Sequence, residues 1–107
     1  YKGAISKIDG LVVSEVPDYS INNHWMVLLK INNKIYKRDR EELMSLFSSN
    51  GIQTRPAWAP IHLQKPYLNY QNYKITVAND LVDQSLCIPS STNISFKNLQ
   101  KIVNVLK

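Results

Sequence analysis

The chain has 107 residues, which is the length of a single domain. Apolar residues make up 44% and charged residues 20% of the sequence, proportions of a folded globular protein rather than a disordered tail. The net charge of +5 raises the question of a nucleic-acid partner. However, the basic residues are scattered, the one short cluster "KRDR" is followed directly by two acids, and no nucleic-acid-binding motif occurs. Nucleic-acid binding is therefore not favoured.

No run of about 20 apolar residues is present, so no membrane span is predicted and no membrane partner is expected. The chain does not open with a secretory pattern, and its single Cys87 cannot form an internal disulfide. We therefore expect a cytoplasmic location. Cys87 lies in the short apolar run "SLCIPS", where a buried structural thiol is the simplest interpretation.

The first third of the chain predicts a helix end and two strands. "YKGAISKIDG" resembles the end of a helix that stops near Gly10. Residues Leu11–Val13 are a short strand candidate, and the near-continuous apolar run "HWMVLLKI", His24–Ile31, is typical of a central strand. The "NNK" that follows predicts a turn.

The middle third predicts a well-capped helix and a third strand. Asp39 is a candidate N-cap, and Glu42 three residues later would complete a capping box. The helix "REELMSLFSSN" then ends at Gly51, where a glycine is favoured as a C-terminal cap. Residues Ile52–Thr54 are predicted to leave the helix as a short strand.

The last third predicts a helix, a strand and a second capped helix. "ITVANDLVDQS" is the first of these helices, and Leu86–Ile88 is the strand. Ser95 is the predicted cap of the final amphipathic helix. The predicted apolar faces are Ala78, Leu81 and Val82 in the first helix and Leu99, Ile102, Val103 and Leu106 in the last. The element order predicts an α+β fold, with helices packed on one face of a small, mostly antiparallel sheet.

One stretch, "GIQTRPAWAPIHLQKPY" (Gly51–Tyr67), has neither a helical nor a strand period. Its prolines stiffen the backbone, so that Arg55, Trp58 and His62 are displayed with little entropy left to lose on binding. Rigid loops of this kind often carry function. Structural roles are equally open from the residues alone: Arg55 could pair with a carboxylate, Trp58 could be core, and His62 could be a satisfied polar residue at a helix start.

Other side-chain patterns give weaker signals. His24 and His62 are the only histidines and have no Cys or carboxylate at ligand spacing, so no metal site is predicted. No Gly-x-Ser-x-Gly elbow supports a serine hydrolase. Six tyrosines raise the question of base stacking, but only three of them lie close together: Tyr67, Tyr70 and Tyr73.

The unusual stretch resembles the small-domain loop of the DegT/StrS-type sugar-nucleotide aminotransferases, a branch of the fold-type I pyridoxal-phosphate (PLP) enzymes. These proteins typically show Gly-Ile-x-Thr-Arg-Pro, an aromatic residue, and then Pro-x-His-x-Gln with a second aromatic residue. "NNHWMVLLKI" is similar to the family's Asn-(Tyr/His)-Trp strand, and "VANDLVDQSLCIPSSTNIS" to its helix, Pro-Ser strand end and helix cap. The resemblance covers nearly the whole chain, most specifically residues 22–107.

The resemblance implies that residues 1–107 are the C-terminal small domain of a larger aminotransferase, whose large PLP-binding domain is absent from this chain. In the family, PLP is held by a Schiff-base lysine in that large domain. "SFKN" (Ser95–Asn98) is not that site, because Ser95 caps the predicted last helix. The chain alone would thus contain no catalytic residue, bind no PLP and be inactive.

For the full-length protein the resemblance implies transfer of an amino group from glutamate to the keto carbon of a nucleotide-linked 4-keto-6-deoxy sugar. This activity belongs to polysaccharide biosynthesis. The similarity is greatest to enzymes that act on UDP-linked 4-keto sugars in bacillosamine- and legionaminic-type pathways, and it implies a homodimer. The small domain would close the active site, with Arg55, Trp58 and His62 as substrate-binding residues. The alternative is a free-standing α+β binding module without catalysis.

Overall fold

The computed structural model describes residues 1–107 and contains one four-stranded sheet with the strand order β1-β2-β4-β3. Every neighbouring pair of strands is antiparallel. The strands are β1 (Leu11–Val13), β2 (Val27–Ile31), β3 (Arg55–Pro56) and β4 (Ser85–Ile88). The helices are α1 (Lys2–Ile5), α2 (Asn33–Tyr36), α3 (Arg40–Ser49), α4 (Val77–Asp83) and α5 (Phe96–Val105), with two 3₁₀ helices at Ile61–Leu63 and Lys65–Tyr67.

The core lies on one face of the sheet. Leu29 on β2 stands opposite Val13 on β1 and Leu86 on β4, and alternate residues along each strand therefore point to the same side. Helices α1, α3 and α5 supply the other half of the core. The buried cluster consists of Ile5, Leu11, Leu29, Ile31, Leu43, Phe47, Ile52, Leu86, Ile88, Ile102 and Leu106. The predicted α+β fold with helices on one face of an antiparallel sheet is confirmed.

Two helix N-termini are capped as the sequence predicts. The Asp39 carboxylate accepts a hydrogen bond from the backbone N–H of Glu42, and the Glu42 carboxylate accepts one from the backbone N–H of Asp39. This reciprocal pair satisfies donors that the first turn of α3 would otherwise leave unpaired. The Ser95 hydroxyl accepts from the N–H of Asn98 at the start of α5.

The predicted start of the second strand at His24 is wrong, because the strand begins at Val27. Two asparagine side chains hydrogen-bond to the backbone before the strand. The Asn22 side chain accepts from the N–H of His24, and the Asn23 side chain accepts from the N–H of Trp25. His24 also has a φ of +52°, which is incompatible with an extended strand. Local turns formed by the asparagines therefore override the apolar, strand-like pattern of this run.

The predicted strand at Ile52–Thr54 is also wrong, because β3 is Arg55–Pro56. The N–H of Ile52 donates to the carbonyl of Phe47 and so completes the C-terminus of α3. Gly51, with a φ of +68°, allows this reversal. The chain reaches β4 only three residues later, where Pro56 is tolerated because β3 is the edge strand.

The remaining differences are small. The first helix ends at Ile5, earlier than the predicted stop near Gly10, and the predicted "NNK" turn is the single-turn helix α2. Gly10 has a φ of +83°, and a Cβ at this position would lie 2.7 Å from the N atom of Tyr36. Helix α4 has no buried residue, so the face predicted for it is only partly covered. No helix combines the length and the apolar character that crossing a membrane requires.

Candidate functional site

Arg55 is the first residue of the edge strand β3 and is exposed. It pairs in register with Cys87 on β4, whose neighbour Leu86 belongs to the core. The pair therefore lies on the sheet face opposite the core. The one ion pair of the chain joins Arg40 to Glu41, so the Arg55 guanidinium has no carboxylate partner here. The structure thus contradicts the ion-pair alternative for Arg55 within this chain.

The thiol beside Arg55 is only partly buried, not fully buried as a core cysteine would be. Burial raises the pKa of the Cys87 thiol above its ordinary value. A raised thiol pKa lowers the thiolate fraction near neutral pH, and the thiolate is the nucleophilic form. Cys87 is therefore suited to packing and not to nucleophilic chemistry.

Trp58 is not a core residue, since 67% of it is exposed. Its ring meets the ring of Trp25 edge to face, with centroids 5.8 Å apart and an interplanar angle of 76°. Trp25 is itself 65% exposed, and its carbonyl accepts a hydrogen bond from the Ser90 hydroxyl after β4. The two tryptophans therefore form an exposed apolar ridge, in which the backbone of Trp25 is held by the side chains of Asn23 and Ser90.

His62 lies in the 3₁₀ helix Ile61–Leu63 and is half-buried. It lines a concavity of about 420 Å³ together with the three clustered tyrosines. Its imidazole makes no hydrogen bond to another group of the chain, and its nitrogens are not among the buried atoms that lack a partner. The side chain of its neighbour Gln64 instead ties this turn together by donating to the carbonyl of Ala59.

The structure does not gather the three predicted site residues into one cavity. The concavity that contains His62 is lined by neither Arg55 nor Trp58. The tyrosine cluster is the element of this site that the prediction did not include. Its signal was visible as three tyrosines spaced three residues apart, Tyr67, Tyr70 and Tyr73.

The chain does not contain residues that fit a PLP site. PLP binds through a lysine in an enclosed pocket, with a partner residue for the pyridine nitrogen. All ten lysines of the chain are exposed. The groove next to Lys97 is lined by three further cations, Arg38, Lys101 and Lys107, and by no aromatic or acidic residue. Clusters of three or more potential metal ligands are likewise not found in the structure.

The fold is shared with sugar aminotransferases. DesI, solved in the presence of its TDP-sugar product, superposes with a TM-score of 0.87 at 21% identity over 98% of this chain and 27% of its own. CalS13 from Micromonospora echinospora, a sugar aminotransferase, has a TM-score of 0.82 at 20% identity over 99% of this chain and 27% of its own. These likenesses show that the fold of the chain is that of a part of such enzymes.

Sequence comparisons agree with the fold. The chain is 29% identical over 112 residues to EpsN of Bacillus subtilis (strain 168), described by name as a pyridoxal phosphate-dependent aminotransferase. This alignment covers 99% of the chain but 28% of EpsN, so the chain spans little more than a quarter of its relative. The family model for DegT/DnrJ/EryC1/StrS aminotransferases matches residues 1–107. The chain belongs to the DegT/DnrJ/EryC1/StrS aminotransferase family.

Proposed function

We propose that this chain is the small C-terminal domain of a longer PLP-dependent aminotransferase that aminates the keto carbon of a nucleotide-linked 4-keto-6-deoxy sugar, with glutamate as donor. The observation that carries the proposal is the family match over the whole chain. The TDP-sugar product of DesI and the sugar aminotransferase CalS13 support the substrate class. PLP would supply the electron sink for amino transfer, held by residues outside this chain.

Arg55 is proposed to bind an anion of the substrate. Its guanidinium is exposed on an edge strand without a carboxylate partner, and its planar fork suits a diphosphate or the donor's carboxylate. Edge strand β3 is paired with β4, and this pairing fixes the backbone position of Arg55. Such a cation would orient the substrate and take no part in proton transfer.

His62 and Trp58 are proposed as the sugar-facing contacts. The His62 imidazole has free hydrogen-bonding capacity on both nitrogens and is set in a half-buried turn, where it could bind a sugar hydroxyl. Trp58, supported by Trp25, would supply an apolar wall. The small domain would in this way close one side of an active site completed by the large domain. A homodimeric enzyme in the cytoplasm remains part of the proposal.

The alternative function is that of a free-standing α+β binding module without catalysis. The two proposals differ in what a gene encoding the chain should contain. An upstream reading frame with a Ser-Phe-x-x-x-Lys segment would favour the enzyme. A gene without such a segment would favour the module.

The proposal is tested with the full-length protein by following the glutamate and sugar half-reactions separately. Arg55→Ala is expected to raise the apparent KM by an amount equivalent to about 1.5–3 kcal/mol, because a charge-assisted contact is lost. His62→Ala should weaken the sugar half-reaction and spare the glutamate half-reaction. Arg38→Ala, which removes an exposed cation from the other side of the molecule, is the matched control. Parental kinetics for Arg55→Ala, Trp58→Ala and His62→Ala would show that these residues are scaffold only.

A second experiment uses the 107-residue chain itself. Borohydride reduction after incubation with PLP should leave no stoichiometric label at one site, because every lysine is exposed and none is set in an enclosed pocket. Stoichiometric modification of Lys97 alone would show that the chain holds its own PLP lysine and would contradict the small-domain proposal.

A further inference from the structure

The concavity that contains His62 differs in chemistry from the two larger grooves of the molecule. It lies between the 3₁₀ helices and the start of α4 and has a volume of about 420 Å³, within the range of roughly 300–1,000 Å³ for small-molecule pockets. Six of its lining residues are apolar or aromatic: Ile61, Tyr67, Tyr70, Tyr73, Ile75 and Ala78. We call it the tyrosine pocket.

No lysine, arginine, aspartate or glutamate lines the tyrosine pocket. The two larger grooves, which border α5, are both lined by Lys101, and one of them by three further cations. An uncharged pocket rich in aromatic rings favours a flat, uncharged group over a phosphate or a carboxylate. The phenol hydroxyls could still form hydrogen bonds with the edge of such a group.

The rings of Tyr67 and Tyr70 restrict how a flat group could bind. Their centroids are 6.2 Å apart and their planes are tilted by 54°. A planar ring can therefore lie flat on only one of them, while its edge meets the other. Tyr70 has the larger free surface, with 70% of the residue exposed against 46% for Tyr67. Tyr70 is thus the better stacking surface.

We propose that the tyrosine pocket binds the nucleobase of the nucleotide-sugar substrate, with Tyr70 stacked on the base; this inference rests on the proposed function. A nucleobase is the flat, uncharged part of such a substrate. The charged diphosphate must lie outside the pocket, and cations flank the pocket along the chain. Lys65 opens the 3₁₀ helix that ends at Tyr67, and Lys74 separates Tyr73 from Ile75.

The competing explanation is that the tyrosines pack against the rest of the full-length protein. The relatives are several times longer than this chain, and a longer protein offers further surface against which these side chains would pack. A packing surface and a base pocket differ in what a substitution changes. Loss of packing lowers stability or alters the oligomeric state, whereas loss of a stacking surface weakens only those ligands that carry a base.

The test measures the binding of UDP, TDP and inorganic pyrophosphate to the full-length holoenzyme by calorimetry. Tyr70→Ala is expected to weaken UDP or TDP about tenfold, the usual order for loss of one aromatic stacking partner, and to leave pyrophosphate unchanged. Tyr70→Phe keeps the ring and should bind within about twofold of the parent. Tyr73→Ala is a second variant in the same pocket, and Tyr19→Ala, at a 92% exposed position, is the control.

The proposal is overturned if Tyr70→Ala and Tyr73→Ala both bind UDP and TDP as the parent does. It is equally overturned if they weaken pyrophosphate as much as the nucleotides, or if they change the melting temperature or oligomeric state without a base-specific loss. The proposed function fails separately, if the parental holoenzyme aminates no nucleotide-linked keto sugar. Amination that persists with an unchanged KM for the nucleotide sugar in both variants would refute the base pocket alone.

Discussion

On the helix-covered face of the sheet, Phe47 and Leu43 are completely buried, whereas none of residues 57–76, between β3 and α4, is fully buried. We call these twenty residues the aromatic segment. It carries eight large apolar side chains that are all exposed: Trp58, Ile61, Leu63, Tyr67, Leu68, Tyr70, Tyr73 and Ile75. Burial of such side chains is the main favourable term in folding. Because the aromatic segment leaves these side chains exposed, they contribute little to the stability of this chain.

Hydrogen bonding separates the two regions in the same way. Strand β2 is hydrogen-bonded on both edges, to β1 and to β4, and so joins distant parts of the chain. The hydrogen bonds of the aromatic segment are local, for example from the N–H of Tyr70 to the carbonyl of Tyr67. Its shape is set by two prolines, Pro60 and Pro66, and by short turns, which leave the apolar side chains available to a ligand or to another part of the protein.

The strongest test of this contrast removes one large aromatic side chain from each region. Phe47→Ala should lower the free energy of unfolding of the 107-residue chain by about 3–5 kcal/mol, because Phe47 is fully buried between helix and sheet. Trp58→Ala removes a larger ring but should cost no more than about 1 kcal/mol, since its contact is an exposed ring pair. Urea unfolding measures both. Equal losses would contradict the division into core and aromatic segment.

A second prediction concerns the last helix. Ile102 is 3% exposed and belongs to the core cluster, so Ile102→Ala should cost about 2–4 kcal/mol in the same unfolding experiment. Leu99, one turn earlier on the same helix, is only half-buried, and Leu99→Ala should cost clearly less. An unchanged midpoint for Ile102→Ala would mean that α5 does not pack on the sheet in solution.

The same division explains which elements the sequence predicts well. Leu11–Val13 was predicted with its observed bounds, and the capping box of α3 was predicted residue by residue, because local pattern and core burial agree there. The prediction of a strand at Ile52–Thr54 was wrong for a different reason. Ile52 is buried, as the pattern suggests, but its N–H donates to the carbonyl of Phe47 at the end of α3 and not to a neighbouring strand. Apolar character predicts burial, but it does not reveal which backbone partner is used.

The candidate site was less predictable for a physical reason. Arg55, Trp58 and His62 lie within eight residues of one another, yet β3 fixes the first while the 3₁₀ turns carry the last into a separate concavity. Sequence spacing reveals which side chains a stiff loop displays. It does not reveal their directions, which depend on turns whose hydrogen bonds involve backbone atoms and not a recognisable side-chain pattern.

A third prediction compares a helix start in the core region with one at the edge of the aromatic segment. Asp39→Ala should destabilise the chain by about 1 kcal/mol and by no more than about 2, because the first turn of α3 loses the carboxylate that accepts from the N–H of Glu42. The backbone N–H of residue 39 can still donate to the Glu42 carboxylate. Thr76 stands at the same position before α4, but its side chain caps nothing. Thr76→Ala should therefore be nearly neutral. A loss at Thr76 as large as that at Asp39 would show that α4 is more tightly held than its exposure suggests.

The smallest expected effect on stability concerns Tyr1. This tyrosine is partly buried against the core region, whereas the tyrosines of the aromatic segment are exposed. The Tyr1 hydroxyl donates a 2.8 Å hydrogen bond to the carbonyl of Pro89, and burial raises the pKa of Tyr1 from 10.0 to about 12. Folding thus favours the protonated phenol. The stability that this preference contributes is fully present below pH 10 and is lost as the pH rises toward 12.

Tyr1→Phe should therefore cost about 0.5–1 kcal/mol at neutral pH, the usual net value of one hydrogen bond, and should flatten the fall in stability between pH 10 and pH 12. Unfolding midpoints measured across this range check both effects. Tyr19→Phe removes a hydroxyl from a 92% exposed side chain and should leave the profile unchanged. If both variants follow the parental profile, Tyr1 is as free in solution as the tyrosines of the aromatic segment, and it does not belong to the core region.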